Sequence, residues 1–382
     1  MQKRYQYYTV TLETLAPVHI GCGRSLTKLD YIYSPASKTV YILEPMKLFR
    51  GLQQYGLLET FEKGLSHSMS MTDFVTKNSV PEKAFSQWAS ISYSVSGIDL
   101  KRGQWEIQSF VKDAYGLPYI PGSGLKGALR TVIETSCILQ KQKEISGISA
   151  KVSAEINHAH QDFKDRKRVN MKRLLNRENL TITTGIFHTL RRKEKKPEDM
   201  LNDCMAGMMF SDSRPVSLDA LTLCQKLDVF FSDERLLPIL RESIKPNTKL
   251  TFDLTIDTKL LGFSVPDVLC AGAKAFQLYD DRFRKEFYDY LPPEIDPEHE
   301  MYLYLGGGTG FWHKTVLNAL YENPDEGALQ TAKLLDMQFP KAKHLSFTQQ
   351  EGISPKAIKA AEYQGQLYEM GMCAVKFEEK TV

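Results

Sequence analysis

The chain has 382 residues, 42% of them hydrophobic and 25% charged, with a formal net charge of +3. That balance excludes a disordered or fibrous chain and leaves room for two ordinary α+β or similar domains. No apolar run approaches the roughly 18 residues of a membrane span, and the opening "MQKRYQYYTVTLETL" lacks the apolar core of a secretory signal. The six cysteines, at positions 22, 137, 204, 224, 270 and 373, form no C-x-x-C pair, so neither a zinc site nor a disulfide framework is expected. Reduced thiols, a cytoplasmic location, no cofactor and no metal are the corresponding expectations.

In chain order, "YTVTLETLAPVHIG" alternates and predicts a first strand ending near Gly21. The polar "CGRSLTKLD" reads as a loop, and "YIYSPASKTVYIL" as a hairpin turning at Pro35, Ala36 and Ser37. "EPMKLFRGLQQYGLLETFEKGL" has helical spacing at Met46, Leu48, Phe49, Leu52, Tyr55, Leu57 and Leu58. Residues 66–112 are less regular. Within them "ISYSVSGIDLKRGQWEIQSFVKD" predicts two strands around Lys101–Gly103, a hairpin of about 90–112 carrying Tyr93, Trp105 and Phe110. Those rings are candidates for stacking on a nucleobase, worth ~1–3 kcal/mol per base. The alternative is that they are core aromatics.

A helix, "SGLKGALRTVIETSCILQ", leads into a basic region: residues 141–200 hold 15 Lys/Arg against 8 Asp/Glu, while the remainder holds 34 against 38. A basic island on a near-neutral chain is the footprint of a polyanion contact, and "KDRKRVNMKR" (164–173) would follow a strand electrostatically. Its competitor is a solvated helix face. The charged "LRRKEKKPEDM" (190–200) marks a boundary between an N-terminal domain, 1–200, and a C-terminal domain, 201–382. The second half restarts with strand-like "MAGMMFSDSRPV" and "TKLTFDLTID", continues with helical stretches at 263–290 and 327–337, and ends on a strand, "QLYEMGMCAVKFEE". Strand–helix–strand sets in both halves predict an α+β protein of two units.

The stretch "YIPGSGLKGALRT" (119–131) carries chemistry. Gly122, Gly124 and Gly127 satisfy G-x-G-x-x-G, but Pro118 and Pro121 interrupt the strand a dinucleotide site requires, and no acidic strand end follows. A P-loop fails too, being one residue too short before Lys126 and lacking the hydroxyl at Ala128. What remains is a helix start in which Pro121 and Ser123 open the first turn and bare N–H groups meet a positive dipole. Lys126 and Arg130 lie four apart on one face. This pattern suits a phosphate backbone; the alternative is a capped helix with two surface cations. In "YLYLGGGTGFWHKTV", Gly306, Gly307, Gly308 and Gly310 would let a nucleic-acid backbone approach, with His313 and Lys314 on phosphate. There the alternative is a tight turn with a polar rim.

"YIPGSGLKGALRT" resembles the signature of the RAMP superfamily, repeat-associated RNA-binding proteins of CRISPR effector complexes, whose usual form is I-P-G-S-S-L-K-G-x-[LI]-R. Gly124 replaces the second Ser. "TLAPVHIGCG", "MFSDSRPV" and "YLYLGGGTGFWHKT" look like the family's first strand, the strand opening its later half and its glycine-rich loop. Their order and spacing, with "KLDYIYSPASKTVYILEPMKL", look most like the family of fifth Csm subunits of type III-A complexes. The resemblance implies two ferredoxin-like (RRM-like) units with an inserted β-hairpin thumb. It implies a subunit that caps the filament of Csm backbone subunits, holds the 3′ side of single-stranded CRISPR RNA and takes part in its 3′-end maturation, with a trimming nuclease as a further partner, in antiviral and anti-plasmid defence. Gly122, Ser123, Gly124, Lys126, Gly127, Arg130, Gly306, Gly307, Gly308, Gly310, His313 and Lys314 would then be the RNA-binding residues.

RAMP relatives include endoribonucleases, which makes His19 a candidate general base. Asp30 is a second candidate, by analogy with a loop aspartate of the filament's cutting subunits. His19 ends a strand and Asp30 closes a loop, so a non-catalytic binding subunit is expected. A scaffold with little RNA affinity of its own is the third reading.

Overall fold

In β1 (Tyr5–Thr14) the alternation seen in the sequence becomes alternation of burial: Tyr8, Val10, Leu12 and Thr14 face inward, while Thr9, Thr11 and Glu13 are partly exposed. The computed structural model describes residues 3–65, 69–95, 105–192, 195–231, 233–291 and 295–381, and 143–146 by their backbone alone. β1 ends at Thr14 rather than near Gly21, three residues before Pro17, which has no N–H to continue a ladder. The expected polar loop instead begins as a bulged edge strand, β2 (Gly21–Leu26).

β3 (Tyr31–Ser34) and β4 (Thr39–Leu43) form the expected hairpin about Pro35–Ser37. The helical spacing that follows yields α1 (Pro45–Gln54), N-capped by Glu44, and α2 (Leu58–Leu65), separated at the left-handed Gly56. The irregular stretch contains two short helices, α3 (Met71–Lys77) and α4 (Glu82–Trp88), then β5 (Ala89–Ser94) and β6 (Glu106–Phe110). The basic region is helical: α5 (Gly122–Gln140) is followed by α6 (Gln142–Lys164) and α7 (Asn176–Phe187). Next come β7 (Met208–Phe210), β8 (Leu221–Val229), β9 (Glu234–Ile244), β10 (Lys249–Asp257), α8 (Val265–Arg282) and β11 (Tyr302–Tyr304). The chain finishes with α9 (Pro324–Gln338), α10 (His344–Glu351), β12 (Ile358–Tyr363), β13 (Gln366–Glu369) and β14 (Met372–Glu379). Gly371, at φ +88, divides the expected last strand into two.

The path β1–α5–β7–β10–α8–β14 builds one antiparallel sheet in the order β14-β1-β10-β7, with β11 added beside β14. This is a split β-α-β unit with ferredoxin-like connectivity, and α5 packs on α8. The second sheet, β13-β12-β8-β9-β6-β2, has a different order and a parallel β6–β9 pair, so the expected second unit of the same kind is not repeated. A third, β3-β4-β5, carries α1–α4 over its own core of Phe74, Met71 and Trp88. Both large sheets draw strands from either side of residue 200, so the boundary expected there does not separate sheets. No described helix is long and apolar enough to cross a membrane. The six cysteines are free thiols, with Cys22 and Cys270 exposed.

The thumb expected over 90–112 needs correction. β5 pairs with β4, whereas β6 pairs with β2 and β9, so the two strands belong to different sheets. The turn proposed at Lys101–Gly103 lies outside the described residues. Long-range burial overrides local pairing here, because Tyr93, Ile107 and Phe110 are all core side chains. Glu242 on β9 holds the two strands at their stations. Its buried carboxylate accepts from Tyr93 Oη at 2.7 Å, Phe110 N at 2.9 Å and Lys112 Nζ at 2.6 Å.

Glu242→Ala strands the Lys112 ammonium and two neutral donors, and should cost roughly 3–5 kcal/mol, the range for breaking a buried pair. Tyr93→Phe removes one hydrogen bond and should cost about 1 kcal/mol. Denaturant midpoints of the two variants measure this ratio; equal losses would contradict the assignment.

Candidate nucleic-acid interface

The RAMP-like motif opens α5 as the sequence predicts, but part of it points inward. Gly122 N donates to Asp212 Oδ1 at 2.9 Å, so a carboxylate of the chain itself already meets the first turn. A Cβ at Gly122 would stand 2.1 Å from the Ser211 carbonyl oxygen, which explains the glycine by close approach of the strand end after β7. Arg130 is not a free phosphate ligand: Nη1 pairs with Asp203 Oδ2 at 2.7 Å, and its guanidinium lies 3.9 Å over the Phe187 ring. Ser123, Gly124 and Gly127 are exposed, and both of these glycines face open space. Lys126 is half-buried. Burial lowers its pKa, with Asp203 opposing and Arg130 adding to the shift.

The glycine-rich loop follows β11. Gly306 and Gly308 adopt φ +83 and +98, a region that side chains rarely enter. A Cβ at Gly306 would meet the His19 carbonyl oxygen at 2.1 Å, and Gly307 N donates to that same oxygen at 2.8 Å. The loop is therefore clamped to the chain between β1 and β2. Gly308 and Gly310 are the two that reach the next feature.

That feature is a groove of about 760 Å³ between the β8–β9 hairpin, the glycine-rich loop, the end of α9 and the start of β12. Seven cations line it: Lys226, Arg235, Arg241, Lys314, Lys341, Lys356 and Lys359, against one carboxylate, Asp228. Asp228 pairs with Lys359 at 2.8 Å, whereas Lys226, Arg241 and Lys314 make no ion pair among the described residues. Arg241 is instead oriented by Gln108, whose Oε1 accepts from Nε at 2.8 Å. Burial lowers the pKa of Lys226, and Lys359 adds to the shift; burial and Arg241 act likewise on Lys314. Phe230, Phe311, Trp312 and Phe339 interleave with these cations, and Phe339 is 52% exposed. His344, on the same wall, has its pKa pushed down to about 4 by burial and then Lys356, so it adds no charge near neutrality. Unpaired cations alternating with aromatic faces suit a single strand held by phosphate contacts and stacking.

His313, expected on phosphate, instead turns most of its side chain away from solvent. It stacks on Tyr304 at 3.7 Å, meets Tyr279 edge-on, and brings Nε2 to 3.7 Å from Glu369 Oε1. Burial lowers its pKa. Glu369 also accepts from Arg284 Nε at 2.8 Å, Tyr304 Oη at 2.7 Å and Tyr279 Oη. Burial alone would raise the Glu369 carboxyl, but His313 and Arg284 outweigh it and hold it below the usual range. This cluster backs Trp312, which stands between the groove and a small crevice against Ala128 and Thr131 of α5. The two sequence motifs thus meet across one tryptophan.

The remaining candidates are structural. Tyr93 and Phe110 are 4% and 1% exposed, which removes them as stacking platforms. Trp105 packs against the main core and its carbonyl accepts from Tyr31 Oη. His19 is buried, its Nδ1 lies 2.6 Å from the Glu242 carbonyl oxygen, and burial lowers its pKa. Asp30 closes the loop after β2, accepting from Thr27 N at 2.7 Å and Thr27 Oγ1 at 2.9 Å. Sequence reasoning missed the cations of β8, β9 and β12. Lys226, Arg241 and Lys359 each alternate with buried neighbours along their strands, and only the sheet order unites them. Among the described residues no cluster of His, Cys, Asp or Glu is arranged to hold a metal ion.

Gly122→Ala should destabilise the protein by roughly 1–3 kcal/mol, because the obstructing atom is backbone and cannot rotate away. Gly127→Ala, facing open space in a helix, should stabilise it by roughly 0.5–1 kcal/mol. Thermal unfolding of both variants tests the contrast, and a destabilised Gly127→Ala would contradict it.

The RAMP-superfamily profile matches residues 11–320 of the chain. The CRISPR system protein Csm5 of Streptococcus thermophilus is 30% identical over 331 residues, 83% of this chain and 82% of that protein. Csm5 of Mycobacterium tuberculosis is 25% identical over 395 residues, 96% of each chain. Among solved structures, the crystal structure of T. onnurineus Csm5 superposes with a TM-score of 0.60 at 18% identity, covering 95% of this chain and 99% of that one. A chain of a cryo-EM Csm–crRNA–target RNA ternary complex of a type III-A system superposes with a TM-score of 0.57 at 19% identity, covering 97% and 100%. The match across most of its length, together with the signature on α5 and the clamped glycine-rich loop, makes the chain a member of the RAMP superfamily and, within it, of the Csm5 family of CRISPR proteins.

Proposed function

We propose that the chain is the subunit of a type III-A CRISPR effector complex that holds the 3′ side of the CRISPR RNA and caps the filament of backbone subunits. One observation carries this reading: the groove beneath Gly308–Gly310 gathers seven cations against a single carboxylate, Asp228, among partly exposed rings. Like charges held close in a folded protein repel one another, and a bound polyanion relieves that repulsion. Membership of the Csm5 family and the fold shared with a chain of a Csm–crRNA–target RNA complex point the same way. A contribution to 3′-end maturation belongs to the same reading, as protection of the bound end and recruitment of a trimming nuclease. The role is binding rather than cutting. His19 is buried among core side chains and Asp30 spends its carboxylate on a turn, so neither is presented to a bound strand as a general base.

The test is binding of a labelled single-stranded 3′ fragment of the CRISPR RNA by the purified chain across a salt series, for wild type, Lys226→Gln/Lys314→Gln and Lys126→Ala. Wild-type affinity should fall steeply with salt. The double variant should flatten the slope of log K against log salt by about 1.4, from roughly 0.7 per phosphate contact on a single strand. Lys126→Ala should change it by less. Salt-insensitive binding, or a groove variant indistinguishable from wild type, would overturn the reading in favour of a scaffold.

A further inference from the structure

The segment joining α6 to α7 lines no part of the groove, yet with the helix ends that flank it, it is strongly basic: residues 164–177 contain seven Lys/Arg and one acidic residue. Lys164, Arg166, Arg168, Lys172, Arg173 and Arg177 are all exposed and make no ion pair among the described residues. Only Lys167 is neutralised, by Asp162 and Asp165. The segment is held in place from below. Val152, Ile156 and Ile182 pack on Leu317, Leu320 and Tyr321, and Glu155 Oε1 accepts from Leu175 N at 2.9 Å. Left-handed residues at Arg166 and Leu175 turn the chain at its two ends.

Its direction follows from two contacts. Ser153 Oγ donates to Glu326 Oε1 at 3.1 Å, and Lys333 Nζ donates to Asn157 Oδ1 at 2.6 Å, so α6 and α9 run side by side in the same sense. Further along both helices, α9 ends at Gln338, just before Phe339 and Lys341, all three lining the groove, and α6 ends at Lys164. The basic segment therefore leaves its helix at the end of the molecule where the groove's α9 wall lies.

We propose that this segment is a second phosphate-binding surface that continues the path of single-stranded RNA beyond the groove, gripping the backbone without reading bases. It takes its partner from the RNA-binding reading of the groove. Exposed cations with no exposed ring among them supply charge but no stacking, which suits a backbone track of any sequence.

The experiment uses the full chain and two oligouridylates, one of about 8 nucleotides, within the span of a single site, and one of about 24 nucleotides. Arg168→Gln/Lys172→Gln/Arg173→Gln should leave the short RNA's affinity within about twofold, weaken the long RNA about tenfold at moderate salt, and lower the long RNA's salt slope by about 2. Circular dichroism and the unfolding midpoint verify that the variant is folded. Unchanged binding of the long RNA by the folded variant would overturn the proposal, and the segment would then be a candidate surface for an acidic protein. Equal weakening of both lengths would overturn it as well, since that marks a general charge effect. The groove variant Lys226→Gln/Lys314→Gln run in parallel separates the two readings: if it leaves the short RNA unaffected while the segment variant still weakens the long one, the groove reading fails and this one stands.

Discussion

Glu242 is the buried charge on which the placing of two sheets and the glycine-rich loop depends. Its carboxylate collects donors from β5, from β6 and from Lys112, and so ties the three-stranded sheet to the six-stranded one. Its carbonyl oxygen lies 2.6 Å from His19 Nδ1, which makes Nδ1 the protonated nitrogen of that ring. The His19 carbonyl in turn receives Gly307 N. One side chain and two main-chain carbonyls thus fix where the glycine-rich loop sits over the groove. A histidine that looks catalytic from its position near a strand end is here a spacer between a sheet and a loop.

The groove is built from charges that would not collect on their own. Lys226 and Arg241 are half-buried, burial lowers the pKa of these two and of Lys314, and only Asp228 stands among the cations to offset them. Such an arrangement costs stability and remains because the surrounding structure is over-determined. The Glu369 cluster supplies that rigidity from behind: Arg284 is held by two carboxylates, His313 stacks on Tyr304, and Tyr279 packs against Trp312. Placing rings and cations on strands and a clamped loop, rather than on free loops, fixes their spacing before any strand arrives.

Much of this was legible in the sequence, for local reasons. The opening of α5, the hairpin at Pro35–Ser37 and the family signature all depend on neighbours a few residues apart. What was not legible depends on distant partners. Arg130 looked like a phosphate ligand until Asp203, 73 residues away, was seen beside it. Tyr93 and Phe110 looked like the rings of a thumb because their strands are consecutive, yet Glu242 and the β6–β9 pairing assign them to the core. The groove's cations lie on β8, β9 and β12, where each reads as an ordinary outward residue until the sheet order places them side by side. The basic island was visible from composition alone. Its bearing on the groove came only from the alignment of α6 with α9.

The account stands most directly on where the RNA lies. Photo-crosslinking answers this with a CRISPR RNA carrying 4-thiouridine near its 3′ end, assembled with the chain and its backbone-subunit partners, followed by mass spectrometry of the crosslinked peptides. The account predicts crosslinks in peptides spanning 308–314 and 339–359, around Trp312 and Phe339. Crosslinks confined to the start of α5, or an absence of crosslinks to this chain in an intact complex, would contradict it.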